Sequence, residues 1–95
     1  MYRIVPTKQF TRSLKKIKRS GMFKPFVEQS FNEVVNSLAA GNSLPPSAVD
    51  HQLTGELSAY RECHIKGNLL LMYERHEDIL VLALIDIGSH SQLFG

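Results

Sequence analysis

The chain has 95 residues, of which 43% are hydrophobic and 21% charged, and its formal net charge is +2. This length suits one domain spanning residues 1–95 and leaves too little chain for a second hydrophobic core. The single cysteine, Cys63, excludes an internal disulfide and a cysteine-rich zinc site, and no aliphatic run approaches the roughly 20 residues that span a bilayer, so we expect a cytoplasmic protein without membrane contact.

The N-terminal half is predicted to form one strand and two helices. Alternating residues at 2–5 predict a short strand, and Thr7 is placed to cap the helix that follows. Apolar residues at helical spacing mark this first helix until Ser20-Gly21 ends it. A second, longer helix has Pro25 near its first turn and an aromatic and aliphatic stripe, which we expect to be core.

Positive charge is concentrated in the first helix. Residues 1–24 contain eight basic and no acidic residues, whereas residues 25–95 contain three basic and nine acidic residues. Clustered basic side chains can bind phosphates or an acidic partner segment, although such a cluster is more often a solvated helix face.

The second half is predicted to be strands. A turn-rich connection at 41–47 precedes them, and Lys66-Gly67-Asn68 and 75–78 form the turns between them. The predicted strands are 58–65, 69–73 and 79–87. The order β-α-α-β-β-β predicts an α+β fold in which two N-terminal helices pack on one side of a mainly antiparallel, twisted sheet. The other side of the sheet is then free for a ligand.

Three of the four histidines lie beside turn signals rather than within an apolar repeat: His51, His64 and His90. An imidazole, with an ordinary pKa of about 6.5, can accept or donate a proton near neutral pH. If these side chains converge on the sheet, they can form an acid/base site. We expect the fourth histidine, His76, to be exposed to solvent in a charged turn.

Four segments together resemble the YafQ-type branch of the RelE/ParE toxin superfamily: DHQLTG at 50–55, YRECHI at 60–65, LLMY at 70–73 and GSHSQLFG at 88–95. The N-terminal half agrees only in its element order, size and basic first helix. The resemblance implies a RelE/ParE-like fold and a toxin that is held inactive by a cognate antitoxin. It implies cleavage of mRNA in the decoding site of a translating 70S-type bacterial ribosome, with operator DNA contacted through the antitoxin complex.

Such cleavage, as the resemblance implies it, needs neither metal nor cofactor. The 2′-hydroxyl of the RNA attacks the adjacent phosphate, so the protein must remove one proton, stabilise charge and protonate the leaving 5′-oxygen. By position, His90 is the expected general acid. His51 or His64 is the expected general base, and the other, when charged, stabilises the phosphate. Phe94 would stack on a base or fix the RNA backbone, or else anchor the tail in the core.

The chain departs from the family pattern at Asn68, where an aspartate is usual. Asparagine keeps the size and hydrogen bonding but cannot accept a proton at neutral pH. Leu69, where the family often has an aromatic residue, is a second departure. Asn68 remains a catalytic candidate, and a catalytically weakened toxin retained as an antitoxin-binding module remains an alternative.

Basic residues supply the remaining candidates. The Arg61 guanidinium could make a bidentate contact with a phosphate, or it could pair with a carboxylate such as Glu62 or Asp86. The resemblance implies that the first helix binds ribosomal RNA or the antitoxin through Lys15, Lys16 and Arg19. A non-enzymatic gyrase inhibitor, like the ParE branch of the same fold, is the alternative from another class, but ParE-like chains lack this set of histidines.

Overall fold

A five-stranded sheet with two helices on one face organises the molecule. The computed structural model describes residues 1–94, so Gly95, the last residue of the tail motif, lies outside the described residues. The strands are β1 (Arg3–Pro6), β2 (His51–Gln52), β3 (Arg61–Lys66), β4 (Leu69–His76) and β5 (Val81–Gly88). The helices are α1 (Lys8–Arg19), α2 (Pro25–Ala39) and the short α3 (His90–Phe94).

The sheet has the strand order β1-β5-β4-β3-β2. β1 runs parallel to β5, and every other neighbouring pair is antiparallel. The predicted α+β architecture is therefore confirmed, with two additions. β2 has only two residues and α3 only five, and both are too short for a periodic pattern to reveal them.

Strand boundaries differ from the predictions at two places. A 3-10 turn at Gly55–Leu57 occupies the chain before β3, so β3 begins at Arg61. β4 continues to His76, which pairs with Val81, so the predicted turn at 75–78 is wrong. The actual turn extends to Leu80, whose φ of 52° is left-handed, and Ile79 within it is exposed despite its apolar side chain.

The N-terminus of α1 confirms the cap predicted at Thr7. The Thr7 Oγ1 accepts a hydrogen bond from the Phe10 amide at 3.2 Å, and the same hydroxyl donates to the Leu84 carbonyl at 2.9 Å. The cap thus satisfies a free helix N–H and also fastens α1 to β5.

The core lies between the two long helices and one face of the sheet, here called the core face. Leu38, Leu71, Tyr73 and Leu82 are completely buried there. The aromatic stripe of α2 belongs to this layer, because Phe31 stacks on Phe10 with ring centroids 6.0 Å apart. None of the helices within residues 1–94 has the length and apolar character needed to cross a membrane.

Candidate active site

Alternation along β3 separates core residues from candidate catalytic residues. Cys63 and Ile65 are buried in the main core cluster, whereas Glu62 and His64 lie on the opposite face, here called the groove face. A groove of about 420 Å³ opens on this face. Its lining consists of Glu62, His64, Asn68, Leu70, Ser89, His90 and Ser91.

The groove brings together three of the four predicted catalytic residues. His64 comes from β3, Asn68 from the turn between β3 and β4, and His90 from the first residue of α3. Two protein segments far apart in sequence therefore meet at one surface. This convergence is what the sequence could not show.

His90 is placed by a reciprocal cap at the start of α3. The Ser89 Oγ accepts from the Gln92 amide at 3.3 Å, while the Gln92 Oε1 accepts from the Ser89 amide at 2.7 Å. This is a capping box, and its Ser-x-x-Gln signal is readable in the sequence. A Cβ at Gly88 would lie 2.9 Å from the Gln92 Oε1, so the cap requires the space that glycine leaves.

Phe94 contacts His90 rather than the core. The two rings are separated by 4.9 Å between centroids, with an interplanar angle of 48°. Phe94 is partly exposed and is not part of the hydrophobic core cluster. Its aromatic ring therefore remains available beside the groove.

His51 lies next to the groove but does not line it. It is exposed in β2, directly opposite Glu62 in the register between β2 and β3, so both belong to the same face. Its Nδ1 lies 2.8 Å from the Val49 carbonyl oxygen. Because a carbonyl can only accept, this contact requires a proton on Nδ1, and in the neutral ring Nε2 is then free to accept another.

Glu62 is a site residue that the sequence reasoning missed, since it was considered only as a partner for Arg61. It is 4% exposed and contributes the only carboxylate among the groove-lining residues. The available signal was its position two residues before His64 on a strand, which puts both side chains on one face.

Arg61 lies on the core face and pairs with neither of its expected carboxylates. Its Nε donates to the Asp50 Oδ1 at 3.3 Å and lies 3.3 Å from the Tyr73 hydroxyl. The expectation of Glu62 or Asp86 is wrong, because alternation along β3 places Glu62 on the groove face and Asp86 lies beside α1, where its Oδ2 accepts from the Gln9 Nε2 at 3.5 Å. Burial alone would lower the pKa of Arg61, but its hydrogen bonds to Tyr73 and Asp50 raise it overall.

The three basic residues of α1 that are predicted to bind RNA do not all border the same groove. Lys16 borders a groove of about 320 Å³ between α1 and the C-terminal segment, where Gln92 also contributes. Lys15 lines a separate groove. Arg19 is exposed in the last turn of α1. Only Lys16 therefore adjoins the helix that carries His90.

This architecture, two helices on one face of a mainly antiparallel sheet, is that of the RelE/ParE superfamily of small toxins. A family model described as "Bacterial toxin of type II toxin-antitoxin system, YafQ" matches residues 2–95. The chain belongs to the YafQ family, and it is a toxin of a type II toxin-antitoxin system.

Known relatives agree with this assignment. A protein of Haemophilus influenzae named "Putative toxin YafQ" is 36% identical over 89 residues, which cover 90% of this chain and 85% of that protein. The "mRNA interferase toxin YafQ" of Escherichia coli is 34% identical over 61 residues, 62% of this chain and 64% of that protein. The E. coli DinJ-YafQ complex shares the fold, with a TM-score of 0.83 at 23% identity and full coverage of both chains.

A crystal structure of a metal-bound toxin from Helicobacter pylori has a TM-score of 0.86 and 38% identity, covering 99% of this chain and all of that one. In the present chain, no three histidine, cysteine or acidic side chains within residues 1–94 are grouped so that they could hold a metal ion.

Proposed function

We propose that this toxin is a ribosome-dependent mRNA endoribonuclease that inhibits translation by acid/base catalysis without a metal or cofactor. The observation that carries the proposal is the groove in which His64, Asn68 and His90 meet. The name of the E. coli relative, an mRNA interferase, supports the same activity. The toxin would act in the cytoplasm on a 70S-type ribosome with mRNA in its decoding site.

The roles of the histidines follow from their surroundings. His51 is the general base, because its Nε2 is free to take the 2′-hydroxyl proton while Nδ1 is held by Val49. His90 is the general acid for the leaving 5′-oxygen, and its contact with Phe94 fixes the ring. His64, when protonated, stabilises the charge that develops on the phosphate. Products are a 2′,3′-cyclic phosphate and a 5′-hydroxyl.

Glu62 and Asn68 complete this arrangement. Glu62 offers a carboxylate on the same face as His64 and can hold a protonated imidazole in position. Asn68 can donate or accept a hydrogen bond with the RNA but cannot serve as the base. The aspartate usual in the family is therefore replaced by a residue that positions rather than transfers protons.

The decisive experiment mixes purified toxin with translating ribosomes and maps the RNA ends. The wild type should cut the message, and His90→Ala should cut it roughly 10² to 10⁴ times more slowly. His76→Ala is the matched control, because His76 pairs with Glu74 through a 2.9 Å contact and does not line the groove. Toxin that is first treated with a chelator, freed of the chelator and then added to the ribosomes should cut at the same rate.

Absence of cleavage by the wild type, or equal cleavage by His90→Ala, would contradict the proposal. In that case, inhibition of DNA supercoiling by gyrase would favour the binding mechanism of the ParE branch. Overproduction without growth arrest would favour a weakened toxin retained for antitoxin binding.

We further propose that the basic face of α1 binds RNA or the antitoxin through Lys15, Lys16 and Arg19. Replacing all three by glutamine should weaken ribosome association and reduce its dependence on salt, because fewer counterions are released. An unchanged salt slope would assign these residues to the antitoxin or to solvent. The partner protein is proposed by analogy with E. coli YafQ bound to DinJ, and operator DNA would be reached through that complex.

A further inference from the structure

Asp50, the residue directly before His51, is held by two side chains of the sheet. The Tyr73 hydroxyl donates to the Asp50 Oδ1 at 2.6 Å, and the Arg61 Nε donates to the same oxygen at 3.3 Å. Tyr73 is completely buried, so the core fixes the side chain that donates this hydrogen bond to Asp50. We call these three residues the Asp50 cluster.

The backbone on the other side of Asp50 is strained. Val49 has φ 48° and ψ 46°, a left-handed conformation that a β-branched residue rarely adopts. Its side chain is largely exposed, so burial of that side chain does not explain the conformation. Strained backbone persists where neighbouring contacts hold it, and the Asp50 cluster supplies contacts one residue away.

The strained conformation has a direct effect on His51. It turns the Val49 carbonyl toward the Nδ1 of His51, at 2.8 Å, and this bond selects the tautomer that leaves Nε2 unprotonated. On the C-terminal side, the Gln52 side chain donates through Nε2 to the Tyr60 carbonyl at 2.9 Å, and its Oε1 accepts from the Arg61 Nη1 at 3.5 Å. His51 is thus fixed from both directions although β2 has only two residues.

We propose that Tyr73 and Arg61 are positioning residues that act through Asp50 to fix the tautomer and orientation of His51 for its role as general base. The inference rests on the proposed RNA cleavage. It assigns a purpose to two residues on the core face, the opposite side of the sheet from the groove. Arg61 is then a positioning residue rather than a contact to RNA.

The first test uses Tyr73→Phe, which removes one hydroxyl and preserves the buried ring. Nitrogen-15 NMR of the His51 imidazole should show the Nδ1–H tautomer in the wild type and a mixture of tautomers in Tyr73→Phe. Tyr60→Phe, which removes a hydroxyl outside the Asp50 cluster, is the matched control and should leave the wild-type tautomer. An unchanged tautomer in Tyr73→Phe overturns the proposal, and this readout does not depend on cleavage.

The second test uses cleavage by programmed ribosomes. Tyr73→Phe should lower kcat with little change in KM, and it should cause no further loss in a His51→Ala background, because both changes then remove the same function. An equal loss in both backgrounds, or full activity of Tyr73→Phe, overturns the proposal. If the wild type cuts no RNA, the proposed function fails, while the NMR result still decides whether the cluster sets the tautomer.

Arg61→Gln separates positioning from RNA contact and keeps the Tyr73 bond to Asp50. If Arg61 only positions His51, the slope of ribosome affinity against salt should equal that of the wild type, while kcat falls. A slope reduced by about one phosphate contact would show that Arg61 binds RNA and would overturn its assigned role.

Discussion

Cys63 and His64 are neighbours in β3, yet one is completely buried beneath the helices and the other borders an open groove. The core face is packed by α1 and α2 and holds the main hydrophobic cluster. The groove face also has buried apolar residues, Leu70 and Met72, but they lie outside that cluster. Successive residues of one strand therefore belong to different surfaces, so stability and chemistry should be separable by mutation.

The largest expected effect is a loss of cleavage rate caused by a substitution on the groove face. His64→Ala should lower the cleavage rate by roughly 10² to 10⁴, because a positioned charge or proton carrier is lost. Its thermal unfolding midpoint should stay close to that of the wild type, since His64 is only partly buried. A large loss of stability together with the loss of rate would contradict the expectation that the groove face contributes to cleavage and not to stability.

The complementary change is on the core face. Leu71→Ala should lower the free energy of unfolding by about 2 to 5 kcal/mol, because the side chain is completely buried and its removal leaves a cavity. Ile79→Ala, at a side chain 64% exposed, is the matched control and should change it by less than about 0.5 kcal/mol. Denaturant unfolding measures both, and a small effect at Leu71 would contradict the packing described.

The free energy of unfolding should also depend on pH, through a residue of the core face. Burial, with the negative charges of Asp50 and Glu62, raises the pKa of the Cys63 thiol to about 12. The folded state therefore keeps a proton that the unfolded chain releases above about pH 9, so stability should fall by up to about 1.4 kcal/mol per pH unit between pH 9 and 12.

Cys63→Ala should make this alkaline loss shallower, as chemical denaturation at a series of pH values would show. Tyr73 contributes in the same direction, because burial and its bond to Asp50 raise the pKa of its hydroxyl. An identical pH profile in Cys63→Ala would exclude the thiol as a source of the effect.

The smallest expected effect is a change in cleavage rate on substitution of Asn68, in the groove. Asn68→Asp restores the carboxylate usual in the family and should raise the cleavage rate, because a proton acceptor is added beside His64 and His90. Asn68→Ser is the control that introduces no charge. If the aspartate variant is no faster than the serine variant, the groove works without a carboxylate at this position.

Much of the fold follows from local signals. The Thr7 cap, the helical spacing in α1 and the alternation that separates Cys63 from His64 are all readable in the sequence. Ile79 and Leu80 misled the strand prediction, because apolar residues normally indicate burial but these two lie in an exposed turn.

The site was less predictable because its decisive contacts join distant residues. The Tyr73 hydroxyl donates to Asp50, which is 23 positions away, and the two meet through the pairing of β2 with β3 and of β3 with β4. The contact between the His51 Nδ1 and the Val49 carbonyl depends on the backbone of Val49, whose sequence context gives no sign of a left-handed conformation. Glu62 and the Ser89-Gln92 cap, by contrast, carried sequence signals that were overlooked.

Because Gly88 has no side chain, substitutions at this position are one way in which toxicity could be lost. A Cβ at position 88 would lie 2.9 Å from the Oε1 and 3.2 Å from the Cβ of Gln92, so a larger residue should move Gln92 and loosen the cap that places His90. A selection for cells that survive overproduction should therefore recover substitutions at position 88 that fold and still bind the antitoxin. Under the proposed function, a single substitution could then remove toxicity from a position outside the groove lining.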